Sequence, residues 1–394
     1  MQYRRFGRTE LAMPVFSSGG MRYQHAWKDL PFGEIPAANQ RNVEAIIRRS
    51  LELGINHIET ARAYGTSEVQ LGQILHQFPR QDLIVQTKVE PFADARQFVQ
   101  TVERSLRLLK LDYVDLLGIH GVNTPERLDW CLRSGGCVEA AQRLREQGKI
   151  RFLGFSTHGS TAVIESAIAS SQFDYVNLHW YYIFQDNWPA ILAAQQQDMG
   201  VFIISPSNKG GELYNPPEKL VKLCAPLSPI VFNNLFCLSH PQVHTLSIGA
   251  AQPQDFDEHL KTVDLLPQAP EILPPILAKL EAAAIAALGA HWYHTWREGL
   301  PTPEETPGNL NITAMLWLRN LALAFDLTEF AKNRYNLFEN GGHWFPGARA
   351  DHLAQLDLSA CLAHSPHRDR IPQLLAEAHD LLQGAKVKRL SQGG

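Results

Sequence analysis

The chain has 394 residues, 45% of them hydrophobic and 19% charged, the proportions of an ordinary globular protein with apolar surface for a large core. Its net charge of −4 gives no reason to expect nucleic acid or an anionic membrane as a partner. The N-terminal MQYRRFGRTELAMPV lacks the apolar run and cleavage site of a secretory leader, and no stretch approaches a membrane span. Five cysteines, Cys131, Cys137, Cys224, Cys237 and Cys361, include no CxxC pair, so reduced thiols and a cytoplasmic location are expected rather than a disulfide framework.

In chain order, eight short apolar runs alternate with helical patterns: MPVFSSGG (13–20), INHIETA (55–61), LIVQTKV (83–89), YVDLLGIHG (113–121), IRFLGFST (150–157), YVNLHWYY (175–182), VFIISPS (201–207) and VHTLSIG (243–249). Between them lie stretches such as NQRNVEAIIRRSLELG, SEVQLGQILHQF, ADARQFVQTVERSLRLLK and VEAAQRLREQGK. Ser67 and Ser160 mark helix starts, Gly54 and Gly148 helix stops. Strand alternating with helix implies a parallel sheet, and eight such units imply closure into a (β/α)8 TIM barrel over residues 1–262. An open doubly wound sheet is the alternative, but no GxGxxG follows the first run. The segment before residue 13 reads as a small hairpin closing the bottom of the barrel.

The pattern then changes. A Pro-rich connector is expected over 263–273, followed by a smaller all-helical domain over 274–394 containing ILAKLEAAAIAAL, NITAMLWLRNLALAFDLTEFAKNRYNLF and IPQLLAEAHDLLQGAKV.

In such a barrel the chemistry collects at the C-terminal ends of the strands. There the second run ends in Glu59 with Tyr64 five residues on, the third in Lys88 and the fourth in His120. Hydride addition to a carbonyl creates an alkoxide that needs a proton donor. Tyr64 suits that role, with Lys88 tuning its acidity, Glu59 holding Lys88 charged, and His120 orienting the carbonyl oxygen.

With these residues in place, the chain resembles the aldo-keto reductases over essentially all of residues 1–262. The resemblance runs through YRRFGRTELAMPVFSSGGM, GINHIETARAYGTSEVQLGQIL, LIVQTKV, LDYVDLLGIHG and LREQGKIRFLGFST. It implies an enzyme that reduces a small carbonyl substrate with NADP or NAD lying extended across the barrel mouth. By position Ser156, Thr157 and Asn177 would hold the nicotinamide carboxamide. Ser205, Ser207, Gly211 and Leu213 would follow the pyrophosphate, and Gly249, Glu258 and His259 would surround the adenosine. This sequence departs from the family at Glu59, where Asp is usual, at Thr157, where Asn is usual, and at Ile204, where many members place a Tyr. Gly249, Ala250 and Asp255 stand where Lys, Ser and Arg often meet a 2′-phosphate, and a carboxylate there repels it. The choice between NADPH and NADH stays open.

The helical part resembles the ferredoxin-like region that follows some aldo-keto reductases, with its iron–sulfur cysteines lost. At the first ligand set stand His291, His294, Arg297 and Leu300; at the second stand Cys361, His364, His367 and Ile371. With a single thiol among those eight positions no iron–sulfur cluster is expected. HxxH and CxxHxxH offer zinc ligands in principle, yet read better as helix-end residues of a packed domain, so no metal is expected. Aromatic residues of HWYYIF (179–184), with Trp27 and Phe32, are candidates to line a substrate pocket. Two rivals remain: a nicotinamide-nucleotide-binding sensor without turnover, and a metal-dependent barrel hydrolase, for which the strand ends supply few ligands.

Overall fold

The computed structural model describes residues 1–388; residues 389–394, the tail of the expected helical domain, lie outside the described residues. The chain opens with an antiparallel hairpin, β1 (Tyr3–Arg5) and β2 (Ala12–Pro14), as the sequence predicts. Its Phe6 and Met13 join Ile84, Leu116, Tyr175 and Phe202 in a buried cluster at the N-terminal end of the barrel.

The barrel strands are β3 (Phe16–Gly19), β4 (His57–Glu59), β5 (Ile84–Val89), β6 (Val114–His120), β7 (Ile150–Ser156), β8 (Tyr175–Leu178), β9 (Gly200–Ile203) and β10 (Thr245–Ile248). They pair in parallel and in sequence order, and β10 closes on β3. Seven fall inside the expected apolar runs and β9 overlaps its run, starting one residue earlier, so the TIM barrel stands and the doubly wound sheet does not. The strands are buried on both faces, which is why they read as continuous apolar runs rather than alternating ones.

Helices α1 (Ala37–Glu52), α2 (Ser67–Leu71), α3 (Ala95–Leu109), α4 (Pro125–Leu132), α5 (Cys137–Glu146), α6 (Thr161–Ala169) and α7 (Trp188–Gln196) connect successive strands through β9. α3 carries a clean apolar stripe, Phe98, Val102, Leu106 and Leu109, and Asp94 caps its start by accepting from the Arg96 N–H at 2.9 Å. Gly54 and Gly148 follow α1 and α5 with φ of 77° and 72°, a left-handed stop that favours glycine. α8 (Glu218–Cys224) and α9 (Pro229–Leu238) precede β10, and α10 (Asp255–Leu265) follows it.

Two compact units divide the chain. One holds Met1–Gly211 and Ile230–Ala269; the other holds Glu212–Pro229 and the chain from Pro270 onward. Where the sequence reading expects a Pro-rich connector, 263–273 completes α10, makes a short 3-10 turn and enters α11 (Ala269–Leu288), which runs through Pro274 and Pro275. Pro270 falls in the first turn, where the N–H groups are unpaired anyway, whereas Pro274 and Pro275 lie inside the helix and each withholds a donor there.

The second unit continues with α12 (Ala290–Thr295), α13 (Ile312–Phe325), α14 (Thr328–Tyr335) and α15 (Ile371–Leu382). α13 is its core helix, burying Ile312, Met315, Leu316, Leu318, Leu321 and Phe325. Among the described residues no single helix is long and apolar enough to cross a membrane.

Candidate active site

Strand register decides what meets at the mouth of the barrel. Glu59 ends β4 and pairs with Gln86 of β5, and Lys88 pairs with Gly118 of β6. His120 ends β6 opposite Ser156 of β7, which in turn pairs with Asn177 of β8. The polar strand ends thus form neighbouring positions around one rim.

Lys88 and Glu59 form a buried ion pair, and the Lys88 ammonium also donates to the Thr60 carbonyl at 2.8 Å. Glutamate is longer than the aspartate the resemblance suggests, and Gly19 makes room for it. A Cβ on Gly19 would stand 3.3 Å from Glu59 Oε2 and 2.4 Å from Ser247 Oγ.

Tyr64 is set by the turn between β4 and α2. Its N–H donates to Ala61 at 2.9 Å and its carbonyl accepts from Ser67 at 3.0 Å. Gly65 has φ of 52° and leaves no space for a Cβ, which would stand 2.0 Å from the Ala26 carbonyl. The same turn is clamped from below by Glu68, a wholly buried carboxylate that accepts from Arg62 at 2.5 Å and from the Thr87 hydroxyl at 2.6 Å. Sequence reasoning missed Glu68 and Arg62. An acid in the first turn of α2 reads as an ordinary helix start, and its partner Thr87, beside Lys88 on β5, is brought near only by the fold.

The phenol ring of Tyr64 lies with its centroid 4.8 Å from Lys88 Nζ. His120 meets it edge-on at 5.9 Å, and Trp27 does the same at 6.2 Å. Burial pushes the Tyr64 phenol above its ordinary range, with Tyr23 adding to the rise. Burial also pulls the Lys88 ammonium well below its ordinary value, and the carboxylate of Glu59 against it acts in the opposite direction.

The residues expected to hold a nucleotide divide into two groups. Asn177 is 0% exposed, and neither polar atom of its carboxamide has a hydrogen-bond partner among the described residues. The Ser207 hydroxyl is likewise buried and unbonded. Buried polar groups are normally paired, so these two fit a ligand that supplies a donor and an acceptor. Ser156 Oγ accepts from the Gly121 N–H at 3.3 Å. Ser205 and Gly211 lie in the loop after β9 with φ of 56° and 81°.

The others are engaged elsewhere. The Thr157 hydroxyl donates to Val122 at 2.8 Å and accepts from the Gly159 N–H at 2.9 Å, so it fastens two loops together. His259 is 0% exposed, bonded to Asn234 at 2.9 Å and packed on Phe16, which leaves it no surface to present to a nucleotide. Glu258 pairs with Lys261 at 2.6 Å. Leu213 is buried and groups with the second unit. At Gly249, Arg22 donates to the carbonyl at 2.6 Å and stands 3.6 Å from Asp255. Asp255 also accepts from the Ala251 N–H at 2.8 Å, so it is neutralised in place rather than being a bare repelling carboxylate.

The aromatic candidates separate too. Trp27 borders Tyr64, whereas Trp180 of HWYYIF is buried and stacked on Phe236 at 5.1 Å. In the second unit, the rings of His291 and His367 lie 4.9 Å apart. His367 also packs on Trp292 at 4.8 Å and bonds to the Thr295 hydroxyl at 2.8 Å. Ile371 is fully buried. Among the described residues no three His, Cys, Asp or Glu side chains converge in a way that would hold a metal ion.

A closed parallel barrel whose strand ends bring Tyr, Lys, His and a carboxylate together defines a class of barrel oxidoreductases. The profile of the Aldo/keto reductase family matches residues 17–211, and the chain belongs to that family through its barrel. An L-galactose dehydrogenase of Arabidopsis thaliana is 35% identical over 137 residues, 32% of this chain and 42% of that protein, so the match spans less than half of the relative. The holo form of the aldo-keto reductase AKR11C1 from Bacillus halodurans superposes with a TM-score of 0.60 at 23% identity, covering 71% of this chain and 96% of that one. An aldo-keto reductase from Klebsiella pneumoniae in complex with NADPH superposes with a TM-score of 0.54 at 20% identity, over 70% and 95% of the two chains.

Proposed function

We propose that the chain reduces a small aldehyde or ketone to the alcohol with NADPH or NADH, with Tyr64 as the general acid. The observation that carries this reading is the stack at the barrel mouth, in which the ion-paired Lys88 ammonium lies 4.8 Å from the centre of the Tyr64 ring and His120 meets the same ring edge-on. The relatives' names and the NADPH in the Klebsiella structure support the same chemistry. The reduced nicotinamide supplies a hydride when bound.

The protein's own residues do the rest. Asn177, with an unbonded carboxamide, matches the donor and acceptor of a nicotinamide carboxamide, and Ser156 stands beside it in the strand register. Ser205, Ser207 and Gly211 offer hydroxyls and open backbone for a pyrophosphate, and Gly249 with Arg22 borders the adenosine end. His120 orients the carbonyl oxygen toward Tyr64. A buried phenol is a reluctant acid at rest. An alkoxide is a far stronger base than a phenolate, so the proton moves to the substrate as charge develops there, and the Lys88 ammonium stabilises the phenolate left behind.

Fluorescence titration with NADPH and NADH, followed by absorbance assays on aldehydes and quinones, tests this. Turnover is expected to fall about 10²- to 10⁴-fold in Tyr64→Phe with nucleotide affinity unchanged. Tight binding without turnover of any carbonyl would make the chain a nucleotide-binding sensor instead. No binding of either nucleotide would end the reading.

A further inference from the structure

Beneath the mouth of the barrel lies a second polar layer that the chemistry described so far does not use. Ser17 Oγ bonds to His57 Nδ1 at 2.7 Å and to Thr245 Oγ1 at 2.7 Å. On the other side of the ring, His57 interacts with the Gln86 amide, at a geometry that leaves His57 Nε2 and Gln86 Oε1 short of a full hydrogen bond. Gln86 Nε2 donates to the Tyr175 hydroxyl at 3.3 Å. All five side chains are 0% exposed. They come from β10, β3, β4, β5 and β8, and so form a belt across the barrel interior.

Each belt residue stands two positions before a residue of the mouth on the same strand: Ser17 before Gly19, His57 before Glu59, Gln86 before Lys88, Tyr175 before Asn177 and Thr245 before Ser247. Side chains two apart on a strand share a face, so the belt is the floor on which the mouth residues rest. The contacts agree. A Cβ placed on Gly118 would lie 3.0 Å from Lys88 Cγ, 3.4 Å from the Tyr175 hydroxyl and 3.6 Å from Gln86 Nε2, which puts the Lys88 stem against the Gln86–Tyr175 bond. Barrel interiors are usually filled with branched apolar side chains, and buried polar groups cost stability unless bonded. A belt of this kind persists where it has something to hold.

Resting on the reading of Tyr64 and Lys88 as acid and tuner, we propose that the belt positions the Glu59–Lys88 pair under Tyr64, and that His57 is the positioning residue joining its two halves. His57 suits the part because it adds no second positive charge. Burial, reinforced by the charge of Lys88 and opposed by Gln86, pulls its imidazole down to about 3. The titratable groups near the belt are Lys88, Glu59, the Tyr175 hydroxyl and, acting on Tyr175, Asp174, with Tyr64 above; Phe202 packs on the His57 ring at 5.3 Å. Lys88 is left as the cation that Tyr64 feels.

The test compares wild type, His57→Leu and His57→Asn, each with NADPH bound, by crystallography and by kinetics across pH. His57→Leu should release Lys88 Nζ from the Thr60 carbonyl, now at 2.8 Å. It should lower kcat by about 10- to 100-fold and move the alkaline limb of the rate profile upward, with KM for NADPH held within about twofold. His57→Asn, which keeps a nitrogen for Ser17, should recover most of the loss. An unmoved Lys88 and an unchanged pH profile, with only thermal stability lowered, would reduce the belt to a structural network and overturn the proposal. If wild type reduces no carbonyl yet Lys88 still shifts in His57→Leu, the reductase reading falls and the positioning role stands. Should His57→Leu fail to fold, Gln86→Leu carries the same readouts from the other half of the belt.

Discussion

The mouth of the barrel and the helical unit hold their polar side chains in different ways, with different consequences. At the mouth, Glu59 adds a methylene to the expected carboxylate, yet it still reaches Lys88 because the strand register fixes where both side chains start and Gly19 yields the space. In the helical unit, the histidines lie in aromatic packing: His367 between His291 and Trp292, near a fully buried Ile371. A site made of one charge beside another tolerates a change of length if the backbone holds both ends. Rings held only by packing on other rings depend instead on the shape of the core around them.

The sharpest way to break this contrast is to remove one charge of the pair at the mouth. Lys88→Met should lower kcat/KM by about 10²-fold or more, since the cation against the Tyr64 ring is lost. It also leaves the Glu59 carboxylate buried without a partner, a loss of about 3–5 kcal/mol. The double variant Lys88→Met, Glu59→Gln should regain much of that stability and none of the activity. Recovery of activity in the double variant would show that the pair is scaffolding and that the acid lies elsewhere.

A smaller effect separates the barrel interior from the surface by pH. Burial pulls His57 and His259 down to about 3 and His244 to about 4, from an ordinary value of 6.5. Because the folded values lie below the unfolded ones, the unfolded chain binds more protons between those limits. The stability these histidines hold is therefore complete above pH 6.5 and drains away as pH falls toward their folded values. The slope is about 1.4 kcal/mol per pH unit for each histidine inside its window. Urea midpoints at neutral pH and near pH 5 measure it, and His259→Leu should flatten the dependence by about one histidine's share. An unchanged slope in that variant would mean that His259 is accessible to protons in the folded state.

Much of the barrel was legible because parallel strands buried on both faces leave unbroken apolar runs, and a polar residue ending such a run is conspicuous. Glu59, Lys88 and His120 stood out for that reason, and the structure sets them on adjacent strands. Thr157 and His259 show where that kind of inference ends. Strand position says which end of the barrel a side chain occupies, not whether its hydroxyl is spent on a neighbouring loop or its ring is sealed beneath a helix. The belt under the mouth was illegible for a related reason. Ser17, His57 and Gln86 each sit inside an apolar run on neighbouring strands, and closure of the barrel is what brings Thr245 of β10 to Ser17. The helical character of the connector was illegible because its prolines read as punctuation, whereas Pro274 and Pro275 lie inside α11.

The mildest effect concerns the helical unit, and it is expected to be none. If His291 and His367 serve packing, EDTA should leave the unfolding midpoint of the full-length protein unchanged, and so should added zinc. His291→Ala should cost about 1 kcal/mol or less, because this residue is exposed and contributes one face of an aromatic contact. His367→Ala should cost more, since it removes both the contact with Trp292 and the bond to Thr295. A metal site would invert this pattern: the two substitutions would cost alike, because each removes one ligand of the same ion, and EDTA would lower the midpoint by more than about 4 °C. The ratio of the two alanine costs therefore decides, with no need to identify a metal, whether the two histidines act together as ligands or are neighbours in a core.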